Sequence, residues 1–248
     1  MDLGLRGRAA LVTGGGSGIG AAIALELAAE GCDVAIVDCN REAAESVARR
    51  VEACGRRGLA RSADVADFTL AETVVREVAG EFGRLDILVC SAGITEDAVS
   101  WKMDETQWDR VIDVNLKGCF NYARVAGALM KDRHAGRIVA IASINGLRGK
   151  FGQANYAASK GGLVALCKSL ARELGKYDVT VNVIAPGMVW TPLTASLPAS
   201  VVERAVSETL TGQLAEPVDC AAAVTFLCSD RARRVTGQVL RVDSGQYV

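Results

Sequence analysis

The sequence predicts an α/β protein with a doubly wound parallel sheet and helices on both faces. It predicts a single domain over residues 1–248. Three observations predict this. Short apolar runs with few polar residues alternate with helical patterns, as in a parallel sheet covered on both sides. A glycine-rich turn, Gly14–Gly20 (GGGSGIG), joins the first such run to a helix. The polar residues able to carry chemistry fall at the predicted carboxyl ends of strands, where open parallel sheets bind ligands.

Taken in order, Arg8–Thr13 reads as a buried strand and Ala21–Glu30 as the helix after the glycine turn. Asp33–Val37 is the second strand, ending in Asp38, and REAAESVARRVEACG the next helix. Gly58–Ser62 is a short strand followed by Asp64 and Val65, and Phe68–Phe82 an amphipathic helix. Leu85–Cys90 is an apolar strand leading into Ser91-Ala92-Gly93. Thr106–Asp132 reads as one long helix containing Asn115, and Gly136–Ser143 as a strand ending in serine. A helix with Tyr156 and Lys160 follows. Val179–Ile184 leads into Pro186-Gly187; Pro217–Ser229 is a helix and Gln238–Val242 the last strand. The segment at about 188–214 has no place in the sheet and carries one amphipathic helix around Ser200–Leu210. It reads as a lid over the ligand edge, with apolar contacts from Trp190, Leu193 and Leu197, or as a packed surface excursion.

Composition narrows the function. The net charge of −1 implies neither a nucleic-acid field nor attraction to an anionic membrane surface. The clusters Arg56–Arg57 and Arg231/Arg233/Arg234 read as solvated loop faces. Eight cysteines lack CxxC spacing and sit in apolar runs, as reduced buried thiols do. One histidine, His134, lies in a polar segment and reads as surface, so neither His-based nucleophilic catalysis nor a metal site is expected. Without a signal peptide or spanning run, a cytoplasmic location is the default expectation.

The chemistry centres on Tyr156 and Lys160, one helical turn apart on one face. A phenol titrates near pH ~10, and an adjacent ammonium favours the phenolate. The pair is thus a candidate acid/base at a carbinol or carbonyl, or else a half-buried tyrosine beside a solvated lysine. The glycine turn before a helix N-terminus suits a pyrophosphate. Asp38 suits the ribose hydroxyls of NAD and repels the 2′-phosphate of NADP, or else it is a loop residue or helix cap. Ser17 offers no cation for that phosphate, and Arg41 lies three residues beyond Asp38. NAD is therefore expected over NADP. Arg148 and Lys150, in the loop INGLRGKFGQAN, could pair with a carboxylate or with CoA phosphates, or simply be solvated. The helix from Tyr156 to Cys167 carries only Lys160 as a charge and calls for cover on nearly all sides, hence a partner subunit.

These residues together resemble the classical short-chain dehydrogenase/reductase family, Rossmann-type, from end to end. The resemblance rests on Thr13-Gly14-x-x-x-Gly18-x-Gly20, Asp64, Ala92-Gly93, Asn115, Ser143 and Tyr156-x-x-x-Lys160, with Pro186-Gly187 and Thr191. The family's usual Asn-Asn-Ala-Gly is here Cys90-Ser91-Ala92-Gly93, and Ser244 stands where glycine is common. The resemblance implies a catalytic set of Asn115, Ser143, Tyr156 and Lys160. It implies a cofactor site of Gly14, Ser17, Gly18, Ile19, Gly20, Asp38, Asp64, Val65, Ser91, Ala92, Gly93, Tyr156, Lys160, Pro186, Gly187, Val189 and Thr191. Substrate contacts are expected from Ser143, Asn145, Arg148, Lys150, Gln153 and Met188, with no metal.

The chain looks most similar to β-ketoacyl thioester reductases and 3-hydroxyacyl-CoA dehydrogenases. The expected reaction is NAD-dependent interconversion of a 3-hydroxyacyl and a 3-oxoacyl thioester. Lys160 is expected to hold Tyr156 at a useful pKa and to bond the nicotinamide ribose. A sugar, polyol or steroid dehydrogenase, and a non-catalytic NAD-binding subunit, remain as alternatives. A homotetramer or dimer is the family's common arrangement, and a hetero-oligomer with a related chain stays open.

Overall fold

In the computed structural model, which describes residues 2–195 and 197–248, the apolar runs are strands of one sheet. They are Ala9–Thr13 (β1), Asp33–Asp38 (β2), Gly58–Ser62 (β3), Ile87–Cys90 (β4), Gly136–Ile141 (β5), Val179–Pro186 (β6) and Val239–Val242 (β7). The helices between them are Gly18–Ala29 (α1), Arg41–Ala53 (α2), Phe68–Phe82 (α3), Glu105–Ile112 (α4), Gly118–Arg133 (α5), Asn145–Arg148 (α6) and Ala154–Leu174 (α7). Pro192–Ala195 (α8), Ala199–Ser207 (α9) and Pro217–Cys228 (α10) complete them. The strand order is β3-β2-β1-β4-β5-β6-β7, and every neighbouring pair is parallel.

Side-chain alternation along the strands divides the core in two. Leu11, Ala35, Leu88, Ile138 and Val181 face α3, α5 and α7 with Val75, Tyr122 and Leu163. Val12, Ile36, Val89, Val139 and Ile184 face α1, α2 and α10 with Ile23, Val47 and Val224. Both faces are buried, so the strands tolerate few polar residues. The strand order reverses between β1 and β4, where Thr13 lies beside Cys90 in register. This switch point brings the glycine turn next to Ser91-Ala92-Gly93.

Local chemistry sets the element limits. The Asp67 carboxylate caps α3 by accepting from the Leu70 amide at 2.8 Å, and Gly83, with φ +75°, ends it. Asp104 and Gln107 form a reciprocal capping box that starts α4. The predicted helix over 106–132 is not continuous. A π-helical turn, Asp113–Lys117, separates α4 from α5 and carries Asn115. Its wider winding has no signature in hydrophobic spacing. β5 ends at Ile141, two residues before Ser143. The segment after β6 holds two helices, α8 and α9, rather than one.

Other expectations are corrected at the surface. Arg56 and Arg57 are not simply solvated; both pair with Asp33, at 2.7 and 2.9 Å. Cys39 and Cys54 are exposed, whereas the other six thiols are buried. Trp190 and Leu197 are exposed instead of packing, and the Leu193 side chain lies outside the described residues. His134 is exposed, as expected, and ends α5 in the left-handed conformation. Among the described residues no helix is long and apolar enough to cross a membrane.

Candidate active site

The glycine turn leaves a cradle at the N-terminus of α1. Gly14 is left-handed, with φ +64°, and a β-carbon on it would lie 2.6 Å from the Ala92 backbone. A β-carbon on Gly20 would lie 2.1 Å from the Gly14 carbonyl oxygen, so α1 can pack this close only with glycine there. Ser17 precedes the helix without a side-chain cap, which leaves the first amides free for an anion. A β-carbon on Gly18 would touch the Thr191 side chain at 3.7 Å, so the turn after β6 roofs the cradle. Ile19 is half-buried beside it, and Val189 packs against Ala215 and Cys220 below.

Asp38, half-buried at the end of β2, is held by that turn. Its Oδ2 accepts from the Gly16 amide and its Oδ1 from the Asn40 amide, both at 3.0 Å. The cap of α2 is Asn40, not Asp38, because the Asn40 side chain accepts from Ala43. Asp38 therefore keeps lone pairs for a ligand. Asp64 and Val65 follow β3; Asn121 on α5 anchors them by donating to the Val65 carbonyl at 3.0 Å. Ser91 and Ala92 hang from Thr13, through its carbonyl (3.1 Å) and its hydroxyl (3.4 Å). Cys90, in the place of an asparagine, is buried with Sγ 3.9 Å from the Cys119 carbonyl oxygen.

The four predicted catalytic residues converge beyond β4 and β5. Asn115 is buried; its Oδ1 accepts from the Ile94 amide at 2.8 Å, and its Nδ2 donates to the Ile94 carbonyl and to Ser159 Oγ. Lys160 is 3% exposed and donates to the Ile141 carbonyl at 2.8 Å. A β-carbon on Gly93 would lie 3.2 Å from Lys160 Nζ and 3.3 Å from Asn115 Oδ1, so this glycine opens the space both groups border. Ser143 is buried and accepts from the Asn145 amide at 3.1 Å. Tyr156 is half-buried with its phenol in reach of Ser143.

Electrostatics here differ from expectation. Burial pushes the Tyr156 phenol above its ordinary range, the Ser143 hydroxyl pulls it down, and the Asp97 carboxylate pushes it up. The Lys160 ammonium lies 5.6 Å from the Tyr156 ring centroid and is turned to Ile141. Burial pulls Lys160 itself down to about 8.

The expected substrate residues divide. Asn145 and Gln153 join at 3.1 Å, and Gln153 donates to Asp97 at 2.9 Å. Met188 is half-buried, with its amide donating to Gln246 Oε1. Lys150 is exposed beside Phe151 and Trp101, lining a crevice of about 140 Å³. Arg148 is not free as expected: it pairs with Glu208 at 3.2 Å. Asp97, Asn155, Glu208 and Gln246 all join this region without having been singled out from sequence. Asn155 is buried and accepts from the Tyr156 amide at 2.8 Å, and only its place next to Tyr156 hinted at that.

A protein-family profile described as Enoyl-(Acyl carrier protein) reductase matches residues 14–246. The chain is 41% identical over 242 residues to a Staphylococcus aureus (strain Mu50) protein named 3-oxoacyl-(acyl-carrier-protein) reductase FabG, spanning 97% of this chain and 98% of that one. The protein of the same name from Escherichia coli (strain K12) is 40% identical over 243 residues, 98% of each chain. A solved structure described as a short-chain alcohol dehydrogenase from Sinorhizobium meliloti 1021 superposes with a TM-score of 0.94 at 36% identity. It covers 97% of this chain and 96% of that one.

Proposed function

The chain belongs to the short-chain dehydrogenase/reductase family, and from that premise we propose that it interconverts a 3-hydroxyacyl and a 3-oxoacyl thioester with NAD. One observation carries the reading. A phenol in reach of a serine hydroxyl, backed by a buried lysine and a buried asparagine, shares a sheet edge with a glycine cradle and a carboxylate. The names of the relatives support the thioester.

The residues present fit a nicotinamide dinucleotide. The free amides of α1 and the β-carbon-free cradle suit its pyrophosphate, and Asp38 suits a ribose diol. When bound, such a cofactor takes up or supplies a hydride. Tyr156 would accept the hydroxyl proton in oxidation and donate it in reduction. Ser143 would donate to the substrate oxygen and stabilise charge developing there. Lys160, with its ammonium near neutrality, would pass a proton toward Tyr156 and bond the nicotinamide ribose. Asn115, bound to Ile94 and Ser159, would hold a proton-relaying water next to Lys160.

The test is NAD reduction followed at 340 nm with hydroxyacyl-CoAs, sugars, polyols and steroids. Turnover of the thioesters above the rest supports the reading. A preference for a sugar or a steroid overturns it, and cofactor binding without any turnover makes the chain a binding subunit.

The choice of NAD rests on Asp38. A 2′-phosphate beside this half-buried carboxylate meets a repulsion of about 1 kcal/mol per charge pair at 4 Å even in water. Asp38→Ala should therefore move the NAD/NADP ratio of kcat/KM roughly tenfold toward NADP. Wild-type enzyme that prefers NADP would overturn the assignment. The proposal extends to assembly as a dimer or tetramer. Trp108 on α4, Phe120 on α5, and Ala158 and Ala165 on α7 are exposed, which suits a partner subunit.

A further inference from the structure

A hydrogen-bonded strap joins the turn after β5 to the segment after β6, and its middle member is Arg148. The guanidinium donates Nε to Asn145 Oδ1 at 3.3 Å, one terminal nitrogen to the Gln246 carbonyl at 3.3 Å, and the other to Glu208 Oε2 at 3.2 Å. Glu208 Oε2 also accepts from Gln246 Nε2 at 3.1 Å, and Gln246 Oε1 accepts from the Met188 amide at 2.9 Å. The start of the segment after β6 and the end of α9 are thus tied to one cation. Leu210 and Thr211 extend the tie, both donating to the Ser244 carbonyl.

On the other side the strap reaches the chemistry. The Asn145 amide donates to Ser143 Oγ at 3.1 Å, and its side chain donates to Gln153 Oε1 at 3.1 Å. Gln153 is 6% exposed, and its Nε2 is held by both oxygens of Asp97 at 2.9 and 3.1 Å. The line therefore runs carboxylate, amide, amide, guanidinium, carboxylate. Charges at its ends fix which way each amide points: Asn145 must turn Oδ1 to Arg148, and its Nδ2 then faces Gln153. Arg148 is the member of the strap that bonds both to the Ser143 turn and to the segment after β6. A guanidinium suits this role because its donors leave in fixed directions, unlike those of an ammonium.

We propose that Arg148 is a positioning residue that couples the segment after β6 to Ser143 through Glu208 and Asn145, and is not a ligand for the substrate's anionic groups. This rests on the reading of Ser143 as the donor to the substrate oxygen. With three of its donor groups engaged and Glu208 as counter-charge, Arg148 offers little to a phosphate or carboxylate. Exposed Lys150 is the free cation of that loop among the described residues.

The experiment compares Arg148→Met, Glu208→Gln and the double variant with the wild type. A 3-hydroxyacyl-CoA and a small neutral secondary alcohol serve as substrates. Both single changes should lower kcat for both substrates by the same factor, roughly 2- to 30-fold. The double variant should be no worse than the worse single one, because the two residues act as a unit. Without substrate, amide hydrogen exchange over residues 200–211 should speed up in each variant. Arg148→Lys, which keeps the charge and loses the fork, should restore little of either effect. Three results would overturn the proposal: a KM rise confined to the CoA substrate in Arg148→Met, normal turnover in Glu208→Gln, or unchanged exchange over 200–211. The exchange readout needs no turnover. Wild type that turns over neither substrate while the variants still speed exchange would sink the thioester reading and leave the coupling standing.

Discussion

Replacing Tyr156 by phenylalanine is expected to abolish turnover while leaving cofactor binding intact. The ring fills the same space, since Tyr156 is held on α7 through its backbone amide, which donates to buried Asn155. What leaves is the hydroxyl in reach of Ser143, the proposed carrier of the proton. General acid–base groups contribute typically 10²- to 10⁴-fold, so kcat should fall by about 10³-fold or more. Quenching of protein fluorescence by NADH, or calorimetry with NAD, should return a dissociation constant within about twofold of wild type, which corresponds to less than about 0.5 kcal/mol. Turnover near the wild-type rate would remove Tyr156 from its role. The pH dependence has a definite sign. Burial holds the phenol above its ordinary range in the cofactor-free protein. Oxidation of the alcohol, which needs the phenolate, should therefore still be rising at alkaline pH, and reduction should fall over the same range.

The second large effect is a trade between stability and activity at Lys160. Its ammonium has lost water and titrates near 8, against about 10.5 for an ordinary lysine. The unfolded chain holds this proton more tightly than the folded one. Between about pH 8 and pH 10.5 the unfolded state binds more protons, so this group's contribution makes the protein more stable as pH rises. Below pH 8 the lysine is charged in both states and the full penalty stands. Lys160→Met removes it. The gain is offset because the Ile141 carbonyl loses its donor. The net stabilisation at pH 7 should be on the order of 1–2 kcal/mol, while turnover is lost. Urea unfolding at pH 7 and pH 9.5 checks this: the variant's advantage should shrink at the higher pH. A variant less stable than wild type at pH 7 would show that the hydrogen bond outweighs the buried charge.

Most of the sheet and of the candidate site was legible because both rest on local signals. Phe68–Phe82 was readable to the residue from its amphipathic pattern, and the structure adds the cap at Asp67 and the stop at Gly83. Tyr156 and Lys160 were readable from their one-turn spacing on a helix, and Ser143 and the glycine turn from their places at strand ends. The π turn was not, since one surplus residue in a helix leaves the apolar pattern around Asn115 unbroken. Nor were the partners of Arg148. Glu208 is 60 positions away in the chain and Gln246 is 98, and no period or motif connects them. Lys160's direction was missed for a related reason. Its spacing from Tyr156 places both on one face, but the Ile141 carbonyl that captures the ammonium comes from β5.

The ties among Ser143's neighbour Arg148, Glu208 and Gln246 also bear on biosynthesis. The first five strands precede Arg148 in the chain, and its partners Glu208 and Gln246 follow it. Gln246, which donates to Glu208 and accepts from Met188, follows Arg148 by 98 residues. At ordinary rates of ~5–20 residues per second, the roughly hundred residues after Arg148 take several seconds or more to appear. For that interval the bonds from Arg148 to Glu208 and Gln246 cannot form, and the Ser143 turn waits for its partners.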